Sequence, residues 1–368
     1  VCSSDLKRRI MNNLKKLGVT ALAGSLVAVS AQAGEMSVNG SANVTWVQTD
    51  ATQGKSIGSD KGLTISGSGE LDNGWTFSLA TYLDDAAAVS THVTTLTMGS
   101  IGTFKVGLGY GGAGASYDEE LPQAYEQVSD AYGNSMNSTG AYLSNNTIVW
   151  DSPAYDVAGA SVSLDAVFSP DAGSAAATDG GQAAHTGTWG VGYGLGVTVS
   201  GLAEGLTIGV YGDIRENVQA VAVTADDPRD AFTGTWFAKY SAGPVSIGYQ
   251  TTYVDVGGSS AAAIAATTVK TIGTSTGIFE DVQYSISFNV NDNLSISYTD
   301  GESTYDDQSD VANNTQIADV TQSQDAIQVA YSMGGMTISA YQMSTSNPAY
   351  DSNAAEINVT EVNLGLAF

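Results

Sequence analysis

"DVQYSISFNVNDNLSISYTDG", residues 281–301, is the stretch on which the fold turns. Val282, Tyr284, Ile286, Phe288 and Val290 are apolar, and every residue between them is polar or small. After Asn291, Asp292 and Asn293 the pattern resumes with Leu294, Ile296 and Tyr298. A period of two sends alternate side chains to opposite faces of a strand. One face is greasy and the other wet. The greasy face needs either a packed core or lipid.

Similar stretches recur on both sides of this one. Sixteen are readable: 36–48, 61–71, 75–84, 91–99, 102–110, 144–152, 159–169, 185–199, 204–216, 231–241, 244–255, 280–290, 293–301, 323–333, 336–345 and 356–368. Most are longer than ordinary soluble strands and suit a tilted crossing of a bilayer. Short connections, such as 72–74, 100–101, 153–158, 242–243, 291–292 and 334–335, alternate with long ones at 49–60, 85–90, 111–143, 170–184, 217–230, 256–279, 302–322 and 346–355. An up-and-down barrel with turns at one end and loops at the other sorts its connections in this way. The polar sets, such as Thr64, Ser66 and Ser68 against Leu63, Ile65 and Gly67, are Ser and Thr rather than Lys and Glu. That mild polarity fits water inside and lipid outside. Trp46, Trp75, Trp150, Tyr110, Tyr240 and Tyr253 fall near strand ends on the apolar parity, where interfacial girdles sit. In the last strand the parity breaks between Val359 and Val362, which suggests a bulge. The expected fold is all-β: a 16-stranded antiparallel transmembrane barrel. Sixteen strands at ~4.8 Å spacing and ~45° tilt give a backbone diameter of roughly 35 Å, too wide for side chains alone to fill.

The chain has 368 residues, of which 14% are charged, against the usual quarter. Lys and Arg number 12 and acids 38, a formal charge of −26. Such a polyanion excludes nucleic-acid binding through phosphates and attracts cations. The stretch "MNNLKKLGVTALAGSLVAVSAQA", residues 11–33, has the charged, apolar and small-residue order of a secretory signal peptide. Residues 1–10 have no role in that pattern and read as a non-native extension. Without residues 1–33 the chain keeps 7 basic and 37 acidic residues and no cysteine, so no disulfide stabilises it.

On these features the chain resembles the Gram-negative general-diffusion porins, a 16-stranded trimeric family. The likeness spans about 34–368. It is carried by the leader, the first strand "GEMSVNGSANVTW", the segment "NNTIVWDSPAY" at 145–155, and the terminal "LGLAF". It implies a homotrimer in the outer membrane, in contact with lipid and lipopolysaccharide, and a barrel whose inward-folded third loop narrows the channel. Phe368 resembles the terminal signal read by the outer-membrane insertion machinery.

The third loop, 111–143, is the longest connection and needs a reason for its length. Pro122 suits the first turn of a short helix and Gly133 its stop. Leu121, Tyr125, Val128 and Tyr132 would share the face against the wall, with Glu119, Glu126 and Asp130 on the other side. With Asp118 and Glu120 these acids form the candidate constriction. Without the resemblance, a solvated acidic surface loop is the plainer reading. By alternation Lys105, Arg215 and Lys239 face the lumen, as do Asp151, Asp165 and Asp213. Acids dominate, so the expected function is passive diffusion of small hydrophilic solutes with preference for cations.

Enzyme chemistry has little to work with. His92 and His185 are the two histidines, and no zinc set or Ser-His pair emerges. "GLGYGGAG", residues 107–114, precedes no βαβ unit, so it is no nucleotide loop. No cofactor is expected. The runs "DDPRD" (226–230) and "DDQSD" (306–310) offer oxygens to Ca2+, but neither has EF-hand spacing, and solvated loop tips explain them as well. The competing class is a non-conducting surface or adhesive β-structural protein.

Overall fold

A computed structural model describes residues 33–51, 54–85, 88–108, 112–118, 120–128, 143, 147–172, 189–218, 229–257, 277–306 and 318–368. The strands are β1 Ala33–Thr49, β2 Gly54–Glu70, β3 Thr76–Leu83, β4 Val89–Thr97, β5 Thr103–Leu108, β6 Thr147–Asp151, β7 Tyr155–Val157 and β8 Ala160–Ser169. They continue with β9 Trp189–Ser200, β10 Leu206–Asn217, β11 Ala231–Ala242, β12 Val245–Asp255, β13 Ile278–Asn289, β14 Leu294–Asp306, β15 Val320–Met333, β16 Met336–Ser346 and β17 Ile357–Ala367.

Each strand pairs antiparallel with its neighbours in sequence, except that β6 and β7 both pair with β8, and β1 pairs with both β2 and β17. The sheet is therefore a closed ring without edges, which removes the exposed backbone groups that an open sheet would present. The segments β6 and β7 are two halves of one strand. Both lie against β8, with Asp151 opposite Asp165 and Tyr155 opposite Val162, a slip of one residue. Pro153 lies in the gap and has no N–H to give. Ser152 repairs the break: its N–H donates to the Leu164 carbonyl at 2.8 Å, and its Oγ accepts from the Leu164 N–H at 2.8 Å. Counting the two halves once, the barrel has sixteen strands.

The faces are sorted opposite to those of a soluble protein. Outward positions are large, apolar and exposed: Ile327 is 64% exposed, Leu195 58% and Ile286 48%. Inward positions are polar and buried, with Thr233, Thr299 and Gln322 at 0%. Outward aromatics stack across strands, Trp236 on Tyr249 at 4.8 Å and Tyr249 on Tyr284 at 5.1 Å. The expected girdle residues Trp46, Trp150, Tyr240 and Tyr253 lie on this outward parity, while Tyr110 lies outside the described residues.

Several expectations are corrected. No long loop occupies 49–60. β1 and β2 run on until Thr49 pairs with Gly54. The connection after β3 is short as well. The turn placed at 153–158 sits at Ala158 and Gly159, both with positive φ, after β7 has completed its strand. No bulge breaks β17, which keeps one register against β16 and β1 throughout. Val359 disturbs the apolar pattern because it faces inward, packed with Tyr341 and Met343, whereas Val362 faces outward.

Candidate functional site

The inward face meets the described parts of the third connection, 112–118 and 120–128. The expected helix is absent from 120–127, which has no helical residue. That backbone bonds to wall side chains instead of to itself. Gln250 on β12 donates from Nε2 to the Tyr117 carbonyl at 2.7 Å and the Asp118 carbonyl at 3.1 Å, and its Oε1 accepts from the Glu120 N–H at 3.3 Å. Gln328 on β15 repeats the device. Its Oε1 accepts from the Tyr125 N–H at 3.0 Å, and its Nε2 donates to the Glu126 carbonyl. Between them Ser297 Oγ accepts from the Ala124 N–H at 2.9 Å. A primary amide offers both a donor and an acceptor, so each glutamine pairs with the loop much as a neighbouring strand would.

Two tyrosines anchor the segment by side chain. Tyr117 donates its hydroxyl to Asp165 and stacks on Tyr211 with centroids 5.1 Å apart. The missing side chain of Gly196 leaves room for its ring. Tyr125 donates to Glu361 at 2.7 Å and stacks on Tyr341 at 6.0 Å. Burial, and then the carboxylate each phenol faces, push both hydroxyls well above the ordinary tyrosine range. Leu121 and Pro122 lie over Gly248, and Val128 packs with Ala326, Tyr341, Met343 and Val359. Three of the four residues expected against the wall therefore lie there. Tyr132 is outside the described residues.

The candidate charges separate into pairs. Glu120 forms an ion pair with Lys239, and Asp151 one with Lys105. Asp165 accepts from Tyr117, and Asp213 accepts from Tyr211 at 3.0 Å. Arg215 sits over the Trp189 ring at 3.7 Å. Asp118 and Glu126 enter through their main-chain carbonyls. Glu119 and Asp130 lie outside the described residues, as do 226–228 and 307–310 of the two acidic runs and His185. Among the described residues, no three His, Cys, Asp or Glu side chains cluster as metal ligands. Phe368 ends the chain at the β1–β17 seam, where its N–H donates to the Gly40 carbonyl at 3.0 Å and its carbonyl accepts from the Gly40 N–H at 2.8 Å. Its ring lies across the space a Gly40 side chain would fill.

The sequence reading missed Gln250, Gln328, Tyr117 and Glu361. Their inward parity was readable, but nothing local marks which inward polar residue meets the loop.

No family model matches the chain, and no curated protein matches it. Solved structures do. A porin refined at 1.8 Å resolution aligns with TM-score 0.61 and 13% identity, over 91% of this chain and 100% of that one. Salmonella typhi OmpF in complex with daunomycin aligns at 0.60 and 12%, over 91% and 98%. An anion-selective porin from Comamonas acidovorans aligns at 0.56 and 13%, over 91% and 99%. With the closed ring of sixteen strands, these alignments establish that the chain has the fold of the Gram-negative porins.

Proposed function

We propose that this chain is an outer-membrane porin: a non-enzymatic channel for passive diffusion of small hydrophilic solutes, selective for cations. The observation that carries the reading is the inverted sorting of the ring, apolar and exposed outside, polar inside. Only lipid makes the outer face favourable, because exposed apolar surface on this scale is costly in water. Segment 112–128 is the inward-folded third loop that narrows the lumen, supported by its bonds to inward residues of β8, β11, β12, β14, β15 and β17. The signal peptide at 11–33 and the terminal Phe368 fit export and insertion. OmpT of Vibrio cholerae, with the same fold at 11% identity, is described in a trimer form, which supports a homotrimer here.

The sign of selectivity follows from charge rather than fold, since the fold also carries an anion-selective porin. Lys105 and Lys239 are each bound to a carboxylate, while acids outnumber bases 37 to 7 after residue 33. Fixed negative charge raises the local concentration of cations. Planar-bilayer recording of the chain from residue 34 under a salt gradient tests the reading. A cation-selective reversal potential with closures in threes is expected. Absence of current from folded, lipid-inserted protein would overturn the channel, and an anionic potential would overturn the selectivity.

A further inference from the structure

We propose that residues 346–351 form a latch that narrows the loop end of the ring, and that Tyr350, which holds the latch shut, is a further residue setting which solutes pass. The inference rests on the diffusion-channel reading and adds a narrowing that the third loop does not make.

The latch is built against its own local preference. In the connection between β16 and β17, Asn347, Ala349 and Tyr350 have φ of 47°, 54° and 53°. Three of the four non-glycine residues with positive φ among the described residues therefore fall in this one connection. Asn tolerates the left-handed region, whereas Ala and a bulky Tyr are strained there. Such backbone persists only where surrounding contacts over-determine it.

Those contacts lie inside the ring. Tyr350 is 2% exposed, with its ring edge-on to Phe279 at 5.1 Å and beside Tyr305 at 6.2 Å. Phe279, Tyr305 and Val320 are inward residues at the loop ends of β13, β14 and β15, and they join Val254 and Val256 of the β12 end in one apolar cluster. In a watery lumen such a cluster is unfavourable until something covers it, and Tyr350 covers it. Hydrogen bonds fix the rest of the strap. The Tyr350 hydroxyl and Ser303 Oγ are 2.6 Å apart, the Ala349 N–H donates to Gln322 Oε1 at 2.7 Å, and Asn347 Nδ2 donates to the Thr321 carbonyl at 2.8 Å. The turn is also closed on itself, since the Asp351 N–H donates to the Pro348 carbonyl at 3.3 Å and the Asn353 N–H to Asp351 Oδ1 at 2.9 Å. The strap therefore moves as one piece. Backbone strain favours its release and burial of one ring favours its docking, so Tyr350 sets the balance between the two positions.

The test uses the full chain from residue 34, which has no cysteine of its own. A nitroxide on Asn353→Cys, an exposed position, reads the motion of the strap. Neutral polyethylene glycols of graded size read the width of the channel in planar bilayers. Tyr350→Ala should turn the label from restricted to free motion and shift polymer exclusion to larger sizes. Tyr350→Phe keeps the ring and should match the unmodified protein in both readouts. Ala349→Gly relieves strain with the ring in place, so the label should stay restricted and excursions to larger current should become rarer. A folded Tyr350→Ala variant with an unchanged label overturns the latch. A freed label with unchanged polymer exclusion overturns the role of Tyr350 in selecting solutes. If the unmodified protein passes no current, the channel reading fails, and the label still reports whether Tyr350 holds the strap.

Discussion

Gln250 and Gln328 show how much a single neutral side chain contributes here. Each amide satisfies backbone groups of the loop that would otherwise be buried beside the wall without partners. Leaving such a group unpaired costs about 1–3 kcal/mol. Gln250→Leu or Gln328→Leu should therefore loosen segment 112–128 while the barrel persists. Single-channel recordings should show noisier and larger open currents, with heat-modifiable gel mobility unchanged. Quiet channels of normal size in the double variant would show that the tyrosine and Lys239 anchors suffice. Neither glutamine stood out beforehand, since Gln at an inward strand position reads as one more lumenal polar residue. Lys105 and Lys239 did stand out as bases on the inward parity, but their carboxylate partners depend on register and on the path of the loop.

At the scale of elements, alternation was legible wherever one face meets lipid. It failed where strands leave that belt. Outward β2 positions near its start are Lys55, Ile57, Ser59 and Lys61, so both faces are wet and the stretch resembles a loop. The part of the expected helix at 122–127 is not helical, for another reason. Helix formation needs local hydrogen bonds, and the wall side chains of β12, β14 and β15 take those backbone groups first. The third loop also carries a pH dependence. Tyr117 and Tyr125 have raised pKa values when docked and an ordinary value near ~10 when released. The docked form holds its protons longer, so docking is unaffected below pH ~10 and weakens as pH rises above it. Current noise should increase above about pH 10, and Tyr117→Phe should reduce that increase. A flat profile up to pH 12 would refute the coupling.

For the whole molecule, the seam between β1 and β17 closes the ring. It is held at the turn end by the Gly40–Phe368 pair and at the loop end by Asp50. Asp50 accepts from the Asn358 N–H at 2.7 Å and from Asn358 Nδ2 at 3.0 Å. Removing Phe368 takes away both seam hydrogen bonds and the ring over Gly40. Insertion yield into lipid should fall several-fold, measured as the heat-modifiable fraction. A normal yield would leave Phe368 without an assembly role. The closed ring itself was legible from strand count and loop order, because an even number of long alternating strands has no other way to satisfy its backbone in lipid.

The seam has a consequence for how the protein comes to exist. The first strand made is the one that must receive the last, so no stage of synthesis short of the final residues can close the structure. Until then the chain has two open borders able to recruit strands from other chains. Until that last contact forms, the protein is at its most exposed to aggregation, whatever the stability of the barrel it completes.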